Sequence, residues 1–235
     1  MTNNETCRVW SRIERQRRDG SVIKLRFQEP PPSVMGNVID FLAEYFTKDE
    51  TFNKAAGVCS NPEAMAEFRL LLKDMTPSPI VICCHDNDTE EIEEIIGVSV
   101  ADVVKDIKDQ LDDFKLQTKE LETAVNLLIE CEKLAEDVTK EFKAHLAGRV
   151  MTVHPNYRGL GIASEFVKIR RLLMIDQNLP LTCSWMTAYG SQKAAEKDNW
   201  ETLFEVKTEE LAKKSGVVFG DSPPTIKLMT FRNPK

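Results

Sequence analysis

A run of small residues beside an arginine could bind an anion. The stretch VHPNYRGLGIAS, Val153 to Ser164, places Arg158, Gly159, Gly161 and Ala163 between an extended pattern upstream and an apolar helical pattern downstream. Backbone N–H groups without bulky neighbours can point at a phosphate, and the positive end of a helix dipole adds to the attraction. The stretch therefore predicts a phosphate-binding loop, or else a tight turn that only leads from a strand into a helix.

Two familiar nucleotide-binding loops do not fit this stretch. A dinucleotide fingerprint requires a third glycine where Ser164 stands. A P-loop requires the sequence Gly-Lys-Ser/Thr, which the stretch lacks. The pattern that is left is Arg158-x-x-Gly161-x-Ala163, so any phosphate that binds here belongs to a different kind of ligand site.

The elements around the loop alternate between strands and helices. Runs rich in β-branched and apolar residues predict seven strands: Ser21–Gln28, Pro79–Cys84, Glu94–Val103, Gly148–His154, Leu181–Trp185, Glu201–Val206 and Thr225–Phe231. Apolar residues at steps of three and four predict five helices: one capped by Ser33 and running to Lys48, then Pro62–Lys73, Leu121–Leu146, Ile162–Leu173 and Ser191–Trp200.

This order of elements predicts the fold class. The second and third predicted strands flank a short acidic segment, His85 to Glu91, which indicates a hairpin. Late strands without a long helix between them indicate further antiparallel pairing. We expect one domain over residues 1–235, an α/β fold with a central mixed sheet of about seven strands flanked by helices on both faces.

Composition and charge limit the possible partners. The chain has 235 residues and a formal net charge of −7, which argues against nucleic acid, since the arginine-rich patch Arg8 to Arg18 is short, contains Glu14 and is followed by Asp19. Six cysteines lack a Cys-x-x-Cys spacing and the three histidines are dispersed, so we expect reduced thiols and no metal. No apolar run resembles a signal peptide or a membrane span. We expect a cytoplasmic protein without a membrane partner.

Two motifs resemble those of a known superfamily. Arg158, Gly161 and Ala163 match the Arg/Gln-x-x-Gly-x-Gly/Ala signature of the GNAT acyl-CoA-dependent N-acetyltransferases. The unbroken run Asn156–Ala163 is similar to the string typical of the insect arylalkylamine N-acetyltransferases. The segment FLAEYFTKDETF, Phe41–Phe52, resembles the aromatic-rich first helix of the same family, which ends in Lys-Asp-Glu-Pro-Leu. The two motifs occur in the family's order.

The resemblance implies acetyl-CoA as co-substrate. In GNAT proteins the pantetheine arm lies beside the strand before the loop, here Val150–His154, and the pyrophosphate lies on the N–H groups of the loop itself. The residues that the resemblance assigns to acetyl-CoA binding are Met151, Val153, Arg158, Gly159, Leu160, Gly161, Ile162 and Ala163.

The resemblance also implies a general base. An alkylamine with a pKa near about 10.4 is mostly protonated at neutral pH, and it must lose a proton before it attacks a thioester. The glutamate of the family's Lys-Asp-Glu motif takes this part, often through bridging water, and it corresponds to Glu50. Asp49 is then a supporting neighbour. Without the resemblance, Glu50 would be interpreted as a solvated carboxylate just past a helix.

Other catalytic roles follow from the same resemblance. Alignment on the family's serine-containing segment places Thr187 and Ser191 on its two serines, as candidates to protonate the leaving thiolate. Either hydroxyl could instead bind cofactor or order water, and Ser191 could simply cap the following helix. Tyr189 is another candidate donor. A backbone N–H of Met151 or Thr152 could stabilise the oxyanion.

Departures from the family leave the acceptor open. Thr51-Phe52 replaces the usual Pro-Leu, and Asn199-Trp200 replaces a usual Gly-Phe. The first expectation for the acceptor is a small arylalkylamine such as dopamine, serotonin or tyramine, followed by agmatine, polyamines or peptides. A protein that binds acyl-CoA without turnover is a further alternative, whereas a cysteine hydrolase built on Cys183 and His154 has little support. We expect a monomer or a weak homodimer.

Overall fold

One mixed sheet forms the centre of the molecule. The computed structural model describes residues 7–74, 78–87, 89, 91–105, 115–140, 142 and 144–233. Within these residues eight strands form one sheet in the order β1-β2-β3-β4-β5-β6-β8-β7. Their bounds are β1 Val9–Gln16, β2 Val22–Gln28, β3 Ile80–His85, β4 Ile95–Val104, β5 His145–Val153, β6 Leu181–Met186, β7 Glu201–Lys207 and β8 Thr225–Arg232.

Helices cover both faces of this sheet. Those in the described part of the chain are α1 Met35–Phe41, α2 Thr47–Asp49, α3 Thr51–Ala56, α4 Pro62–Asp74, α5 Lys119–Leu134, α6 Glu136–Thr139, α7 Ile162–Asp176, α8 Tyr189–Lys197 and α9 Thr208–Ser215. The buried side chains of α1, α4 and α5 form one core with residues such as Ile82 and Val98. The buried side chains of α7 form a second core on the other face, with residues such as Leu25 and Phe27. The α/β class and the two-sided arrangement are therefore confirmed.

The sheet opens into a fork between β5 and β6. Strand β5 pairs antiparallel with β4 from His145 to Val153. Among the described residues, its parallel pairing with β6 is limited to Leu146 with Thr182 and Ala147 with Cys183. The two strands diverge beyond this point, so the remaining edge of β5 has no neighbouring strand in the described part of the sheet. This open edge leads directly to the loop before α7.

Most predicted elements lie where the sequence placed them. The seven predicted strands correspond to β2 through β8, and the predicted hairpin is the antiparallel pair β3 and β4; Asp88 and Glu90, in its turn, lie outside the described residues. Three elements were not predicted, the edge strand β1 and the helices α3 and α9. The sheet therefore has eight described strands rather than seven.

Three local predictions were wrong. The predicted helix Leu121–Leu146 ends as α5 at Leu134 and continues only through the short α6, and Leu146 lies in β5. The apolar residue at 146 matched a helical step by coincidence of spacing. Ser33 does not cap the first helix, because a 3₁₀ turn at Pro32–Val34 precedes α1 and Val34 occupies the cap position. The predicted first helix is also interrupted, by a π-helical turn at Leu42–Phe46, and its last part, α2, ends at Asp49, one residue beyond the predicted end.

Candidate functional site

A large cavity brings the two sequence motifs together. It has a volume of about 820 Å³ and lies at the fork, where α2, α3, α5, β5, β6 and the start of α7 meet. Its lining includes all but one of the residues that the resemblance assigns to acetyl-CoA binding, together with Glu50 and the two hydroxyl candidates: Glu50, Met151, Val153, Arg158, Gly159, Gly161, Ile162, Ala163, Thr187 and Ser191. Leu160 is the exception, since its side chain packs into the core on the α7 face.

The loop before α7 exposes unpaired N–H groups. Gly159 and Gly161 have φ of 83° and 79°, a left-handed conformation that other residues adopt at a cost. Gly161 is the residue that precedes α7, and its carbonyl accepts the first helical bond from the Glu165 N–H at 3.1 Å. The N–H groups at the first helical positions, Ile162 and Ala163, therefore have no partner within the helix. The loop has the geometry of an anion site.

Alternation along β5 decides which N–H groups face the fork. The His154 N–H bonds to the Ile96 carbonyl of β4 at 2.8 Å. Because successive residues of a strand direct their backbone groups to opposite edges, the N–H groups of Val153 and Met151 point to the open edge, and that of Thr152 points to β4. Of the two backbone donors considered from the sequence, Met151 is thus the one that faces the cavity.

The Arg158 side chain joins the two motifs. Its Nη2 forms an ion pair with Asp49, and its Nε donates to the Val153 carbonyl at 3.1 Å. Both partners of the ion pair are partly exposed to solvent, 46% and 40% of each side chain. A phosphate at the loop would have to share this guanidinium with Asp49 or displace it.

Glu50 stands at the break between two helices. Its backbone is extended, with φ −71° and ψ 136°, and its carboxylate caps α3. Oε1 accepts from the Phe52 N–H at 3.1 Å, and Oε2 accepts from the N–H and the Nδ2 of Asn53 at 2.9 and 2.6 Å. A carboxylate has about four acceptor positions, so one position is left for a water molecule or an ammonium group in the cavity. The local structure thus fixes Glu50 on the cavity wall.

The two predicted hydroxyl groups differ in their surroundings. Ser191 donates to the Ala188 carbonyl at 2.8 Å and accepts from the Ala188 N–H, so it takes part in starting α8. The Thr187 hydroxyl makes no side-chain hydrogen bond within the described part of the chain. The Thr187 carbonyl accepts a hydrogen bond from the Thr51 hydroxyl, which fastens the start of α3 to the segment after β6. Tyr189, the other candidate donor, is half exposed and also lines the cavity.

A buried guanidinium lies at the closed end of the fork. Arg170 of α7 is 2% exposed and donates to the Ser99 hydroxyl at 3.1 Å, the Val150 carbonyl at 2.8 Å and the Ser184 hydroxyl at 3.4 Å. These partners belong to β4, β5 and β6. Burial lowers the pKa of Arg170 to about 10. Arg170 thus ties three strands together where β5 and β6 separate.

Sequence reasoning missed several residues of the site. Arg15, on the unpredicted β1, donates from Nε to the Leu160 carbonyl at 3.1 Å. It lines a second cavity of about 460 Å³ beside the loop, together with Lys168 and Lys197. Glu132 and Arg170 face or border the large cavity, yet they occur in helical patterns that indicated only a solvated face and a core face. Their type and spacing carried no signal of a site.

The described residues contain neither a membrane-spanning helix nor a metal-binding cluster. No helix in these ranges is long and apolar enough to cross a membrane. Within the same ranges, no group of three or more His, Cys, Asp or Glu side chains could hold a metal ion.

Comparison with known proteins identifies the fold. No protein-family model matches the sequence, and no curated protein sequence matches it. Among solved structures, the yellow fever mosquito protein provisionally named arylalkylamine N-acetyltransferase 7 matches 99% of this chain and 98% of its own, with 24% identity and a TM-score of 0.83. Arylalkylamine N-acetyltransferase 2 from Aedes aegypti matches over 88% of this chain and 98% of its own, with 21% identity and a TM-score of 0.71.

A third similar structure comes from another insect. The Drosophila melanogaster polyamine N-acetyltransferase, which forms N-acetylagmatine, matches over 89% of this chain and 100% of its own, with 14% identity and a TM-score of 0.66. These TM-scores show that the chain shares its overall fold with the three proteins. The protein described here therefore has the GNAT acetyltransferase fold, and it resembles the insect arylalkylamine N-acetyltransferases.

Proposed function

We propose that the protein transfers the acetyl group of acetyl-CoA to the primary amine of a small molecule. One observation carries the proposal: a single cavity contains a loop of unpaired N–H groups, an open strand edge and a carboxylate. Each of these features answers a separate need of the reaction, namely phosphate binding, positioning of the thioester and removal of a proton.

The residues present fit acetyl-CoA. The unpaired N–H groups at Ile162 and Ala163 suit the pyrophosphate, since anions bind favourably at a helix N-terminus. The free edge of β5 offers N–H groups at Met151 and Val153 to the amide carbonyls of the pantetheine arm, in the manner of an added strand. The adjoining cavity is lined by cations and by the acidic Glu165 and Asp198, and Lys168 pairs with Glu165. Arg15 and Lys197, which form no ion pair within the described residues, are the cations there that suit further phosphate charge.

Glu50 is proposed as the general base. The acetyl thioester supplies the electrophile, and the amine must be neutral to attack it. Three hydrogen bonds hold the carboxylate in place, and its remaining acceptor position can take a proton from the amine directly or through one water. The double use of Glu50, as helix cap and as base, would explain why the chain breaks its first helix at this residue.

Two further roles are proposed from the cavity wall. The Met151 N–H faces the fork and can stabilise negative charge that develops on the thioester oxygen. Thr187 is favoured over Ser191 as the donor to the departing thiolate, because the Ser191 hydroxyl already bonds to Ala188. The sequence predicts both residues as candidates, and the hydrogen bonds of Ser191 are the reason to prefer Thr187.

The cavity walls favour an amine with an apolar body. Phe46, Phe68, Leu128, Phe142 and Trp185 line the part of the cavity between the helices and the sheet. Such walls suit the ring of an arylalkylamine or the methylene chain of an aliphatic amine. The sequence resemblance favours an arylalkylamine as the acceptor, and the names of two similar structures support agmatine or a polyamine; both classes fit these apolar walls. A cytoplasmic location and a monomer or weak homodimer stay predictions from the sequence.

The test is an acetyl-CoA-dependent thiol-release assay over a panel of aryl, alkyl and guanidino amines and short peptides. Binding of acetyl-CoA is measured separately by calorimetry. Turnover with at least one small amine is expected. Binding without turnover on any acceptor would replace the enzyme by an acyl-CoA-binding protein, and turnover on peptides alone would change the acceptor class. Absence of binding would remove the assignment of the loop and of the β5 edge.

A further inference from the structure

A second carboxylate faces the cavity that contains Glu50. Glu132 lies near the end of α5, and its Oε1 accepts a hydrogen bond from the indole Nε1 of Trp185 at 3.0 Å. Both residues line the cavity. In the described part of the chain, Oε2 of Glu132 has no hydrogen-bond partner and Glu132 forms no ion pair within 4.0 Å. A mostly buried carboxylate thus presents one oxygen to the cavity.

No cation in the described part of the chain forms an ion pair with Glu132. Arg149 of β5 is the cation whose field reaches Glu132. Its Nη2, however, pairs with Asp102 of β4 at 3.4 Å. Arg149 is thus shared with Asp102, and Glu132 has no cation within ion-pair distance among the described residues. A ligand that brought a positive group here would supply the missing partner.

The surroundings of Glu132 also disfavour its charged form. Burial raises the pKa of Glu132, and the Trp185 hydrogen bond and Arg149 oppose this only in part. The charged form of Glu132 is therefore less favourable than that of a free carboxylate, and a bound cation would favour it. A carboxylate in a binding site makes the site selective. A ligand without a matching positive group leaves the carboxylate unpaired and therefore binds less well.

We propose that Glu132 forms a subsite for a second cationic group of the acceptor, so that the cavity prefers diamines and guanidinium-bearing amines over monoamines of equal length. This rests on the proposed function, which places the reacting amine beside Glu50. The apolar side chains that line the same cavity, Leu128 among them, would contact the methylene chain that joins the two amino groups.

The test compares matched acceptors on matched variants. Rates are measured with 1,3- to 1,6-diaminoalkanes and agmatine, and with n-alkylamines of the same chain lengths, for the wild type, Glu132→Gln and Glu122→Gln. Gln keeps the shape and can still accept the Trp185 bond. Glu122 is an exposed glutamate on the same helix, so its variant makes the same change in charge away from the cavity.

The expected result is a change in selectivity. The wild type prefers the best diamine over its monoamine in kcat/KM, and Glu132→Gln lowers that ratio about 10- to 100-fold, as expected for a lost charge-assisted hydrogen bond. Glu122→Gln leaves the ratio unchanged. A wild type without preference for diamines, or an equal ratio in Glu132→Gln, would overturn the proposal.

Direct binding measurements distinguish a failure of the Glu132 subsite from a failure of the proposed acetyltransferase function. If no amine is turned over, the proposed function fails, and calorimetry of the same diamines with the CoA-bound protein still tests the subsite. Weaker diamine binding in Glu132→Gln than in Glu122→Gln supports the subsite, and equal binding refutes it. Unfolding curves of both variants, with Glu132→Asp as a conservative third, show that each chain is folded under the assay conditions.

Discussion

Asn53 donates two hydrogen bonds to the carboxylate of Glu50, one from its backbone N–H at 2.9 Å and one from its side-chain Nδ2 at 2.6 Å. Helix α2 ends at Asp49, directly before Glu50, and helix α3 starts directly after it at Thr51. The same side chain therefore ends a structural element, caps the next one and faces the cavity. Its structural and chemical roles can be separated by mutation, because they respond differently to Gln and Ala.

Glu50→Gln is expected to lower kcat/KM by about 10²- to 10⁴-fold, the usual contribution of a general base. Gln can still accept hydrogen bonds from the start of α3, so the free energy of unfolding changes little. Glu50→Ala is expected to lose the same activity and also about 1 kcal/mol of stability, because the cap is removed. Steady-state kinetics and urea unfolding measure the two effects. Full turnover in Glu50→Gln would eliminate Glu50 as the base.

Gly161→Ala is expected to weaken acetyl-CoA binding roughly tenfold, the loss of about one charge-assisted hydrogen bond to a phosphate. Gly161 has φ 79°, so a Cβ there strains the loop by about 1–2 kcal/mol and moves the N–H groups that follow it. Gly20→Ala is the matched control, because Gly20 has φ 86° in an exposed turn with nothing within 4 Å of the added atom. Calorimetry and urea unfolding should show a similar loss of stability in both variants and a loss of affinity only in Gly161→Ala. Equal affinity in the two would contradict the loop assignment.

The sequence predicted the elements whose hydrophobic period is unbroken. Strands β3 and β4 are continuous apolar runs in the centre of the sheet, and α7 keeps one apolar face through Phe166 and Ile169. Strand β1 was missed because it is an edge strand, paired only with β2 in the described sheet. Its alternation is between partly buried and exposed side chains, most of them charged or polar, rather than between apolar and polar ones.

The site was predictable only where local sequence determines it. Glycines next to a helix start and a Lys-Asp-Glu motif are local signals, and the structure brings both to one cavity. Glu132 and Arg170 could not be predicted in this way. Each occupies an ordinary position in a helical pattern, and its importance comes from which face of the sheet and which part of the fork that helix covers. Those facts depend on contacts between residues far apart in the chain.

Gly148 and Arg170 are expected to be coupled in stability. A Cβ built on Gly148 would lie 2.7 Å from Cζ of Arg170 and 2.7 Å from the Ser184 hydroxyl, and the guanidinium is held by hydrogen bonds to three strands. Gly148→Ala should therefore cost about 1–3 kcal/mol, as overpacking does. In the Arg170→Met background the clash with the guanidinium is gone. A double-mutant cycle by urea unfolding should give about 0.5–3 kcal/mol of coupling. Simple additivity would mean that the fork adjusts without strain.

Stability should depend on pH through Glu132. Burial raises its pKa in the folded protein above the ordinary 4.5, so the folded state favours the protonated carboxyl. The favourable contribution of this group is therefore complete below the unfolded pKa and is lost as the pH rises through the folded pKa. Gln does not titrate and escapes that loss. The stability of Glu132→Gln relative to the wild type should therefore increase as the pH is raised from 4.5 to neutral.

Urea unfolding at several pH values measures this difference, and Glu122→Gln provides the control. Groups that titrate alike in the wild type and the variant cancel in the subtraction, so the remaining pH dependence belongs to Glu132 and to its coupling with Arg149. Saturation with a diamine should oppose this rise in the relative stability of Glu132→Gln. A bound cation favours the ionised carboxylate of the wild type and lowers its pKa. The stability difference between Glu132→Gln and the wild type could instead stay constant or fall as the pH rises. Either result would mean that the folded protein does not disfavour the charge of Glu132, and it would contradict the argument for a cation beside this residue.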